Sequence, residues 1–554
     1  MAPAAAVWIG ECPTVAPTAG VLDTVSAPDG TARHLLASDT ALPGCDQRQL
    51  PVNATTLRAG RLIARPLAEG LAPGFALSYE GAASELAQAE VIPRDATVPD
   101  DSPRILGNTL FGEIALQTFG IDGRASGSVS ADALTLACRA GQTSGGALLR
   151  LHERPLPQGT RAAIRLRYTA SAPFPLGLSD TRRLSAEDPH LLGTLDPGQP
   201  TVTLPLPPEG IDTNRLRAIS LLCPPHAATL GITELSIVPI PGPAPASGRA
   251  TWIWQPEGWR QADSAAFAAF AAAAIDTLFV TVPVDPERAQ VVDADQLAVF
   301  VARATKAGIA VWAVAGDARA VLPSERHHFK RMARAYADYN RTAPDGAALA
   351  GIQYDIEPYL NRGYALDATP WLDAYADTIR ELRAAADLPI DLALPFFWAT
   401  AKTSRGPLLD AIAADADSIT VMAYRTDPAQ IRTLAQPFLE WGSRARRRVR
   451  IALEAGPIAD TRVQHHAPAT QGQLAIIIGE RHGTLLEFTE PVAAAGLRSF
   501  APTHTGATPG SAISFIHRRH EMLDRTSQLE HGWRSWPAFS GVALHEFFSP
   551  PPAP

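Results

Sequence analysis

Two different patterns of hydrophobic and polar residues divide the chain near residue 240. Before that point, short alternating runs are separated by Pro, Gly, Asp and Ser, for example at 162–168, 201–206, 216–223 and 230–238. Period-two alternation with frequent turn residues is typical of antiparallel β-sheets. It predicts an all-β N-terminal region, made of a less regular β-rich domain at 1–110 and a jelly-roll β-sandwich at 111–240.

The pattern changes after the Pro-rich run PIPGPAPASG at 239–248, which predicts an extended linker at 241–249. Beyond it, strand-like and helix-like segments alternate. Eight apolar segments are strand candidates: 251–255, 277–284, 309–315, 350–357, 390–397, 418–424, 450–454 and 541–547. Six segments between them have helical periodicity: 264–274, 295–307, 324–343, 371–386, 407–414 and 428–443. This alternation predicts a C-terminal (β/α)₈ TIM barrel at 250–554.

The connection at 457–540 is too long for a simple crossover between two barrel strands. We therefore expect it to carry an insertion with its own structure.

Composition and charge narrow the class of partner. The chain has 554 residues, of which 46% are hydrophobic and 19% charged, which favours a folded, multidomain protein. Its 48 basic and 56 acidic residues give a formal net charge of −8. This mild overall acidity argues against nucleic acid or an anionic membrane as the main partner. No apolar stretch reaches the ~18 residues that a membrane span needs.

The four cysteines, Cys12, Cys45, Cys138 and Cys223, all lie in the first half of the chain. An even count in β-rich modules suits two disulfides, most simply Cys12–Cys45 and Cys138–Cys223. The sequence also allows the other pairings or four buried thiols. No CxxC spacing is present, so we expect no metal site. The N-terminal MAPAAAVW resembles the start of an exported chain without its leader, and we predict a secreted or periplasmic protein.

The fourth predicted barrel strand ends in three polar residues at period two: Gln353, Asp355 and Glu357. Alternate residues of a strand share a face, and the C-terminal ends of barrel strands carry the chemistry of such enzymes. Two stacked carboxylates repel each other and lose water, so one pKa should rise, as a general acid requires. Glu357 is the expected proton donor and Asp355 its orienting partner. The alternative is a buried carboxylate pair neutralised by neighbouring basic residues.

These residues carry a resemblance to a known family. The segment GIQYDIE (351–357) resembles the DGxDxDxE motif of family 18 glycoside hydrolases, the chitinase-like TIM barrels, with Asp355 and Glu357 matching its last two acidic positions. On the sixth predicted strand, ITVMAYR (419–425) is similar to the family's Met-x-Tyr-Asp segment through Met422 and Tyr424. Ala350, Gln353 and Arg425 depart from the two motifs. The resemblance covers the C-terminal ~300 residues.

The resemblance implies a mechanism and roles for these residues. Glu357 would protonate the glycosidic oxygen, while Asp355 and Tyr424 would hold a substrate N-acetyl group whose carbonyl oxygen is the nucleophile. Gln353 cannot take up a proton as the family's Asp would. His545, on the eighth predicted strand, occupies a segment where the family usually has a Trp platform. These departures imply a substrate other than plain chitin.

A second constellation gives a different mechanism. Glu454 ends the seventh predicted strand, and an acid on strand four with a nucleophile on strand seven is the layout of another group of retaining glycosidases. Glu454 could equally form a salt bridge with one of the nearby arginines.

Further residues are candidates for binding substrate. Aromatic residues gather near the predicted strand ends, and Trp254 and Trp398 are expected to stack on sugar faces. Gln353, Met422, Asp427 and His545 complete the set, although Asp427 could instead cap the helix that begins at Pro428. No cofactor motif is present.

The sequence therefore predicts a retaining glycoside hydrolase that cleaves a polysaccharide or oligosaccharide, with β-sandwich accessory domains like those of carbohydrate-active enzymes. Two alternatives remain open. One is a retaining glycosidase with Glu454 as nucleophile, and the other is a non-catalytic glycan-binding barrel that serves in polysaccharide export or attachment.

Overall fold

The computed structural model describes residues 6–16, 19–64, 75–80, 88–93, 110–111, 114–151, 162–180, 189–206, 216–240, 248–478, 482–493, 496–533 and 536–548. Seven strands are described before residue 110: β1 Val7–Cys12, β2 Gly20–Ser26, β3 Ala32–Ser38, β4 Asp46–Leu50, β5 Leu57–Ala64, β6 Phe75–Glu80 and β7 Gln88–Pro93. The first four form an antiparallel sheet in the order β2-β3-β1-β4. The Cys12–Cys45 disulfide joins the end of β1 to the start of β4.

A β-sandwich of two five-stranded antiparallel sheets follows, in the orders β15-β12-β17-β10-β9 and β14-β13-β16-β11-β8. Its strands are β8 Ile114–Gly120, β9 Ala125–Val129, β10 Leu134–Cys138, β11 Gly145–Leu151, β12 Ala162–Ala170, β13 Phe174–Asp180, β14 His190–Leu195, β15 Thr201–Pro205, β16 Leu216–Leu222 and β17 Ala228–Pro239. Alternate residues of each strand, such as Leu134 and Leu136 in β10, fill the core between the sheets. The Cys138–Cys223 disulfide links the two sheets, so the simplest pairing predicted is confirmed. Of the predicted linker, 241–247 lies outside the described residues.

Sixteen strands are described after the sandwich: β18 Gly248–Ile253, β19 Ile275–Thr281, β20 Val284–Asp285, β21 Gln290–Val291, β22 Ala310–Ala315, β23 Gly351–Tyr354, β24 Ile390–Pro395, β25 Lys402–Thr403, β26 Gly406–Pro407, β27 Ser418–Met422, β28 Arg448–Glu454, β29 Thr461–Ala469, β30 Gly472–Ile478, β31 His482–Val492, β32 Arg498–Thr508 and β33 Phe539–His545. Eight of them close a parallel barrel in the order β18-β19-β22-β23-β24-β27-β28-β33. These are the eight predicted barrel strands, so the predicted barrel is confirmed.

Helices surround the barrel: α1 Pro256–Arg260, α2 Ser264–Ala272, α3 Ala294–Lys306, α4 Pro323–Thr342, α5 Ala368–Ala385, α6 Leu408–Ile412, α7 Pro428–Ala445 and α8 Arg519–Trp533. Their apolar faces pack on the outer side of the strands in one large core. A smaller cluster that includes Trp252, Phe279 and Trp312 fills the interior of the barrel. None of the described helices is long and apolar enough to cross a membrane.

The connection between β28 and β33 forms a β-sheet together with strands from the N-terminal part of the chain. Its strands β29–β32 pair with β5, β6 and β7 in one seven-stranded antiparallel sheet, in the order β5-β31-β30-β32-β29-β6-β7. Residues of β30 and β31, such as Ile477 and Phe488, pack with Val7, Ile9 and Leu35 of the first sheet. The insertion is thus structured, as expected, but it completes a sheet with residues from the segment 1–110 instead of folding by itself.

Candidate active site

The fourth barrel strand is shorter than predicted, and this change positions the two acidic residues. β23 ends at Tyr354, and the chain then leaves the ladder before Pro358, which has no N–H to donate. The backbone N–H of Asp355 still donates to the carbonyl of Ala315 on the neighbouring strand, at 3.0 Å. Asp355 and Glu357 therefore lie just beyond the C-terminal end of the strand. We call this end of the barrel the mouth.

Gln353 lies one layer below the mouth and is completely buried. Its Oε1 accepts a hydrogen bond from Trp252 Nε1 at 2.6 Å, and its Nε2 donates to Asp391 Oδ2 at 2.7 Å. Asp391 also accepts hydrogen bonds from Ser418 Oγ at 2.6 Å and Thr420 Oγ1 at 2.8 Å. Because these polar groups are engaged within the barrel, Gln353 cannot bind substrate directly. Its predicted role as a substrate-binding residue is corrected to that of a buried link beneath the site.

Asp355 has an electrostatic environment that favours its protonated form. Burial and the negative charge of Glu357 raise its pKa to about 7, although the positive charge of His545 acts in the opposite direction. Its Oδ1 is buried and makes no hydrogen bond to a described residue. A buried carboxyl oxygen without a hydrogen-bond partner is costly in the free protein.

Glu357 also has a raised pKa, because burial outweighs two effects that stabilise its charged form. These are a hydrogen bond from the hydroxyl of Tyr359 to Glu357 Oε1 and the positive charge of His545. Two neighbouring carboxyls with raised pKa values can retain a proton near neutral pH. The expected effect of the paired carboxylates is thus present in the structure, and no described Arg or Lys forms a salt bridge with either.

An aromatic wall follows Glu357. The ring of Tyr359 lies 5.1 Å from that of Phe397 and 6.0 Å from that of Trp398. Trp398 is completely buried, and its Nε1 donates to the hydroxyl of Tyr364 at 2.9 Å. The prediction that Trp398 is a sugar platform is therefore wrong, since its faces are covered within the core. Its neighbour Phe397 is 47% exposed and could present a face to a ligand.

The opposite side of the mouth, at β28 and β33, holds a hydrogen-bonded row of three side chains. Trp254 Nε1 donates to His545 Nε2 at 3.0 Å, and His545 Nδ1 donates to Glu454 Oε2 at 2.8 Å. The second oxygen of Glu454 accepts from the backbone N–H of Gly456 at 2.5 Å. Glu454 is 3% exposed, so both of its oxygens are engaged in a buried site.

The contacts of His545 act on its proton in two ways. Burial disfavours its charged form, but the hydrogen bond to Glu454 and the charges of Glu454, Glu546 and Asp355 outweigh this and raise its pKa. The hydrogen bond from Trp254 requires an unprotonated Nε2 and therefore favours the neutral ring with its proton on Nδ1. A second proton on His545 would break the contact with Trp254.

Tyr424, Met422 and Asp427 follow the sixth barrel strand. The ring of Tyr424 stacks on that of His545 with centroids 5.7 Å apart, and burial and the charge of Glu454 raise its pKa well above the usual value. Met422 is half-buried at the end of β27. Asp427 is exposed, and its Oδ1 accepts the N–H of Gln430 at 2.8 Å. Asp427 is thus the N-cap of α7, the alternative reading of this residue.

The structure therefore gathers Asp355, Glu357, Tyr424, Glu454, His545 and Trp254 at one mouth. Sequence reasoning did not assign roles to Tyr359 and Phe397, although both belong to the aromatic residues near strands four and five. The signal for Tyr359 is its place two residues after Glu357, beyond a proline that turns the chain. Phe397 and Trp398 are neighbours in sequence, and only packing reveals which of them is exposed.

Comparisons with known proteins were made for the whole chain. No family model matches it, and no curated protein matches it. Similar solved structures include the CBM22-1–GH10 modules of endo-1,4-β-D-xylanase 10B from Clostridium thermocellum, complexed with xylohexaose: identity is 10%, TM-score 0.25, and 62% of this chain and 80% of that chain are covered. A chitinase from Chromobacterium violaceum is 12% identical, with TM-score 0.29 and coverage of 54% and 93%. A family 29 carbohydrate-binding module is 12% identical, with TM-score 0.18 and coverage of 23% and 78%. Function is therefore argued from the site itself.

Proposed function

We propose that the protein is a retaining glycoside hydrolase that cleaves a polysaccharide or oligosaccharide, with Glu357 as general acid and base. The observation that supports this most is the Asp355–Glu357 pair at the mouth. Burial raises both carboxyl pKa values, and Asp355 keeps a buried oxygen that no described residue satisfies. Such a pair can hold the proton that must reach a departing sugar oxygen.

The proposed reaction uses the N-acetyl group of the substrate as nucleophile. Glu357 donates its proton to the glycosidic oxygen as the bond to the anomeric carbon breaks, and the acetamido oxygen bonds to that carbon. Asp355 accepts the amide N–H and so orients the acetamido group, while Tyr424 binds the same group from another strand of the barrel. Water then attacks the anomeric carbon, and the bond between that carbon and the acetamido oxygen breaks. The water gives its proton to Glu357, which restores the enzyme.

The alternative with Glu454 as nucleophile is not favoured by the geometry. Glu454 is 3% exposed, and its two oxygens accept hydrogen bonds from His545 and from Gly456, which leaves it little access to an anomeric carbon. Glu454 instead fixes the orientation of His545, which in turn holds Trp254 at 3.0 Å. We propose that Trp254, His545 and Phe397 contact the sugar around the acid pair, through ring faces and polar edges.

The two disulfides agree with export to an oxidising compartment, and we propose a secreted or periplasmic location. The glycan-binding alternative requires a site without turnover. It is kept as an outcome of the test because the surroundings of Glu357 suit binding as well as chemistry.

Product analysis by mass spectrometry tests the proposal. The wild type, Glu357→Gln and Glu257→Gln are incubated with bacterial and fungal polysaccharides that include N-acetylated and non-acetylated members. Glu257 is an exposed carboxylate of α1, which follows the first barrel strand, and its ion pair with Arg260 is at the surface, so Glu257→Gln is a matched control.

We expect cleavage of an N-acetylated polymer by the wild type and by Glu257→Gln, and none by Glu357→Gln. Cleavage of non-acetylated polymers alone would contradict substrate assistance. Binding without cleavage by all three proteins would contradict the hydrolase and support the glycan-binding barrel.

A further inference from the structure

The segment that carries the proposed acid is held from outside the barrel. We call residues 357–367, between β23 and α5, the acid loop. It contains two single turns of 3₁₀-helix, Pro358–Leu360 and Arg362–Ala365. Between them, Asn361 Nδ2 donates to the carbonyl of Ala318 at 2.7 Å and to that of Pro358 at 3.1 Å. The first turn places Tyr359 against Glu357, so displacement of the loop would move both residues.

The second half of the acid loop contacts the N-terminal sheet in three ways. Arg362 forms an ion pair with Asp23 of β2. Gly363 lies so close to β2 that a Cβ atom on it would stand 2.0 Å from the carbonyl oxygen of Ser26. The side chain of Leu366 packs against the core that the first sheet shares with the seven-stranded sheet. The acid loop, which lies between β23 and α5 of the barrel, therefore also contacts the N-terminal sheet.

These contacts are few, and open space lies beside them. A cleft of about 850 Å³ separates the chain around 25–33 from helices α4 and α5, with Gly363 and Leu366 on its wall. The loop is not embedded in continuous packing against the sheet. On the side of the sheet, the position of the loop therefore depends on the individual contacts of Arg362, Gly363 and Leu366. On the side of the barrel, Asn361 and Tyr364 hold the loop through hydrogen bonds.

The local backbone of β2 positions Asp23 for the polar contact, which is the ion pair with Arg362. The β2–β3 register shifts between Val21 and Asp23, which leaves Leu22 as an extra residue of a β-bulge. A bulge re-aims the side chain beside it, and Asp23 is 4% exposed. One of its oxygens accepts the N–H of Leu62 in β5 at 3.0 Å.

The other oxygen of Asp23 accepts the N–H of Thr24 at 2.9 Å and the guanidinium of Arg362. One carboxylate thus connects the first sheet, the seven-stranded sheet and the barrel. A second guanidinium lies near: burial and the charge of Arg362 lower the pKa of Arg61, and the charge of Asp23 opposes this. Removing the charge of Asp23 would take away one attraction that offsets the repulsion between Arg61 and Arg362.

We propose that Asp23, acting through Arg362, is a positioning residue for the acid loop and hence for Glu357. This inference rests on the proposed function for its catalytic part, because Glu357 is the group that is positioned. It makes the N-terminal sheet a structural component of the active site, although the sheet lies more than 300 positions away in sequence from the loop.

Hydrogen exchange tests the positioning without any substrate. Amide exchange of 357–367 is followed by mass spectrometry in the wild type, Asp23→Asn, Arg362→Gln and Glu11→Gln. Glu11 pairs with Arg33 at 3.2 Å within the same four-stranded sheet, so Glu11→Gln removes a different ion pair of that sheet. We expect exchange in 357–367 to accelerate roughly tenfold or more in the first two variants and to remain unchanged in Glu11→Gln.

The kinetic arm asks whether the position matters for chemistry. We expect kcat to fall roughly 10- to 100-fold in Asp23→Asn and Arg362→Gln with KM nearly unchanged, because a small displacement of a catalytic group costs rate. The double variant should match either single variant, since both act on one contact. Arg362→Lys, which keeps a positive charge beside Asp23, should restore part of kcat, whereas a merely structural role would show no such rescue.

Unchanged exchange in Arg362→Gln, whose side chain is 55% exposed, would overturn the inference even if Asp23→Asn fails to fold. Faster exchange with full kcat would also overturn it, because the loop would then move without consequence. Absence of turnover in the wild type would refute the proposed hydrolase instead, and the exchange result would still decide whether Asp23 holds the loop.

Discussion

Both sides of the barrel mouth carry buried carboxylates, but the hydrogen bonding of these carboxylates differs between the two sides. On the β28–β33 side, Glu454 has both oxygens hydrogen-bonded, to His545 at 2.8 Å and to Gly456 at 2.5 Å. On the β23 side, Asp355 keeps a buried oxygen without a partner among the described residues, and its pKa is raised to about 7. Glu357 beside it receives one hydrogen bond, from Tyr359.

This difference separates a carboxylate that supports the site from carboxylates that can act in it. A satisfied carboxylate stabilises the arrangement around it and has little left to offer a ligand. An unsatisfied carboxyl with a raised pKa is unfavourable in the free protein and becomes useful when a substrate or a transferred proton satisfies it.

Glu357→Gln should have the largest effect on activity. The amide cannot donate the proton that the departing oxygen needs, so kcat should fall roughly 10²- to 10⁴-fold. Thermal stability should be unchanged or slightly higher, since a half-buried charge is removed. Kinetics on the polysaccharide identified by product analysis, together with a melting curve, measures both. Full activity in this variant would remove the β23 side from the mechanism.

Asp355→Asn should reduce kcat about 10²-fold and change the pH dependence of stability. The raised pKa means that the folded protein binds this proton more tightly than the unfolded chain does. The stability that the wild type gains from it is complete below about pH 4 and is lost as the pH rises to about 7, at about 1.4 kcal/mol per pKa unit. Asparagine does not titrate, so the variant does not lose this stability as the pH rises. Denaturant midpoints at acidic and alkaline pH should show the variant gaining on the wild type as pH rises; a constant difference would contradict the raised pKa.

Glu454→Gln should affect stability more and activity less than Glu357→Gln does. Gly456 N–H and His545 Nδ1–H both donate to this side chain, and an amide offers only one oxygen. One donor then loses its acceptor, so the free energy of unfolding should fall by about 1–3 kcal/mol, while kcat falls only about tenfold through displaced His545 and Trp254. A Glu454→Gln variant that is stable yet as inactive as Glu357→Gln would indicate that Glu454 is the nucleophile. The two sides of the mouth would then both take part in the chemistry.

Tyr359→Phe should have the smallest effect. The Tyr359 hydroxyl stabilises the charged form of Glu357, so its removal should raise the pKa of Glu357 further. The acid then stays protonated to higher pH, and the alkaline limb of kcat/KM should move upward with at most a few-fold change in rate. Tyr364→Phe is the matched control, because that hydroxyl contacts Trp398 and not Glu357. A limb that stays in place in Tyr359→Phe would mean that another group controls it.

Local patterns in the sequence predict much of this molecule. The eight barrel strands are predicted because each is a short apolar run bounded by helical periodicity, and the acidic residues of strand four stand out against such a run. The helix Arg519–Trp533 was not predicted, since its apolar face is weakly patterned. Non-local structure was also missed. Nothing in β5 or β29 signals that strands separated by some 400 residues share one sheet, because pairing between distant strands leaves no periodicity of its own.

The candidate site follows the same rule. Asp355 and Glu357 could be predicted from spacing, whereas the fates of Gln353, Trp398 and Glu454 depend on partners from other strands. Gln353 is engaged by Trp252 and Asp391, Trp398 is covered by Tyr375 and Tyr359, and Glu454 is engaged by His545. Residue type and position suggested a site role for each. Packing and hydrogen bonds decide which of them can reach a ligand.

We expect the β23 side of the mouth to retain a carboxyl proton near neutral pH, with Asp355 as the carboxyl that holds it. Infrared difference spectroscopy of the protein between about pH 5 and about pH 9 reads protonated carboxyl groups directly and needs no substrate. We expect a carboxylic acid band that disappears as the pH rises through about 7. The band should be lost in Asp355→Asn and should persist in Glu454→Gln. A band that survives in Asp355→Asn and vanishes in Glu454→Gln, or no band above about pH 5 in the wild type, would contradict this expectation.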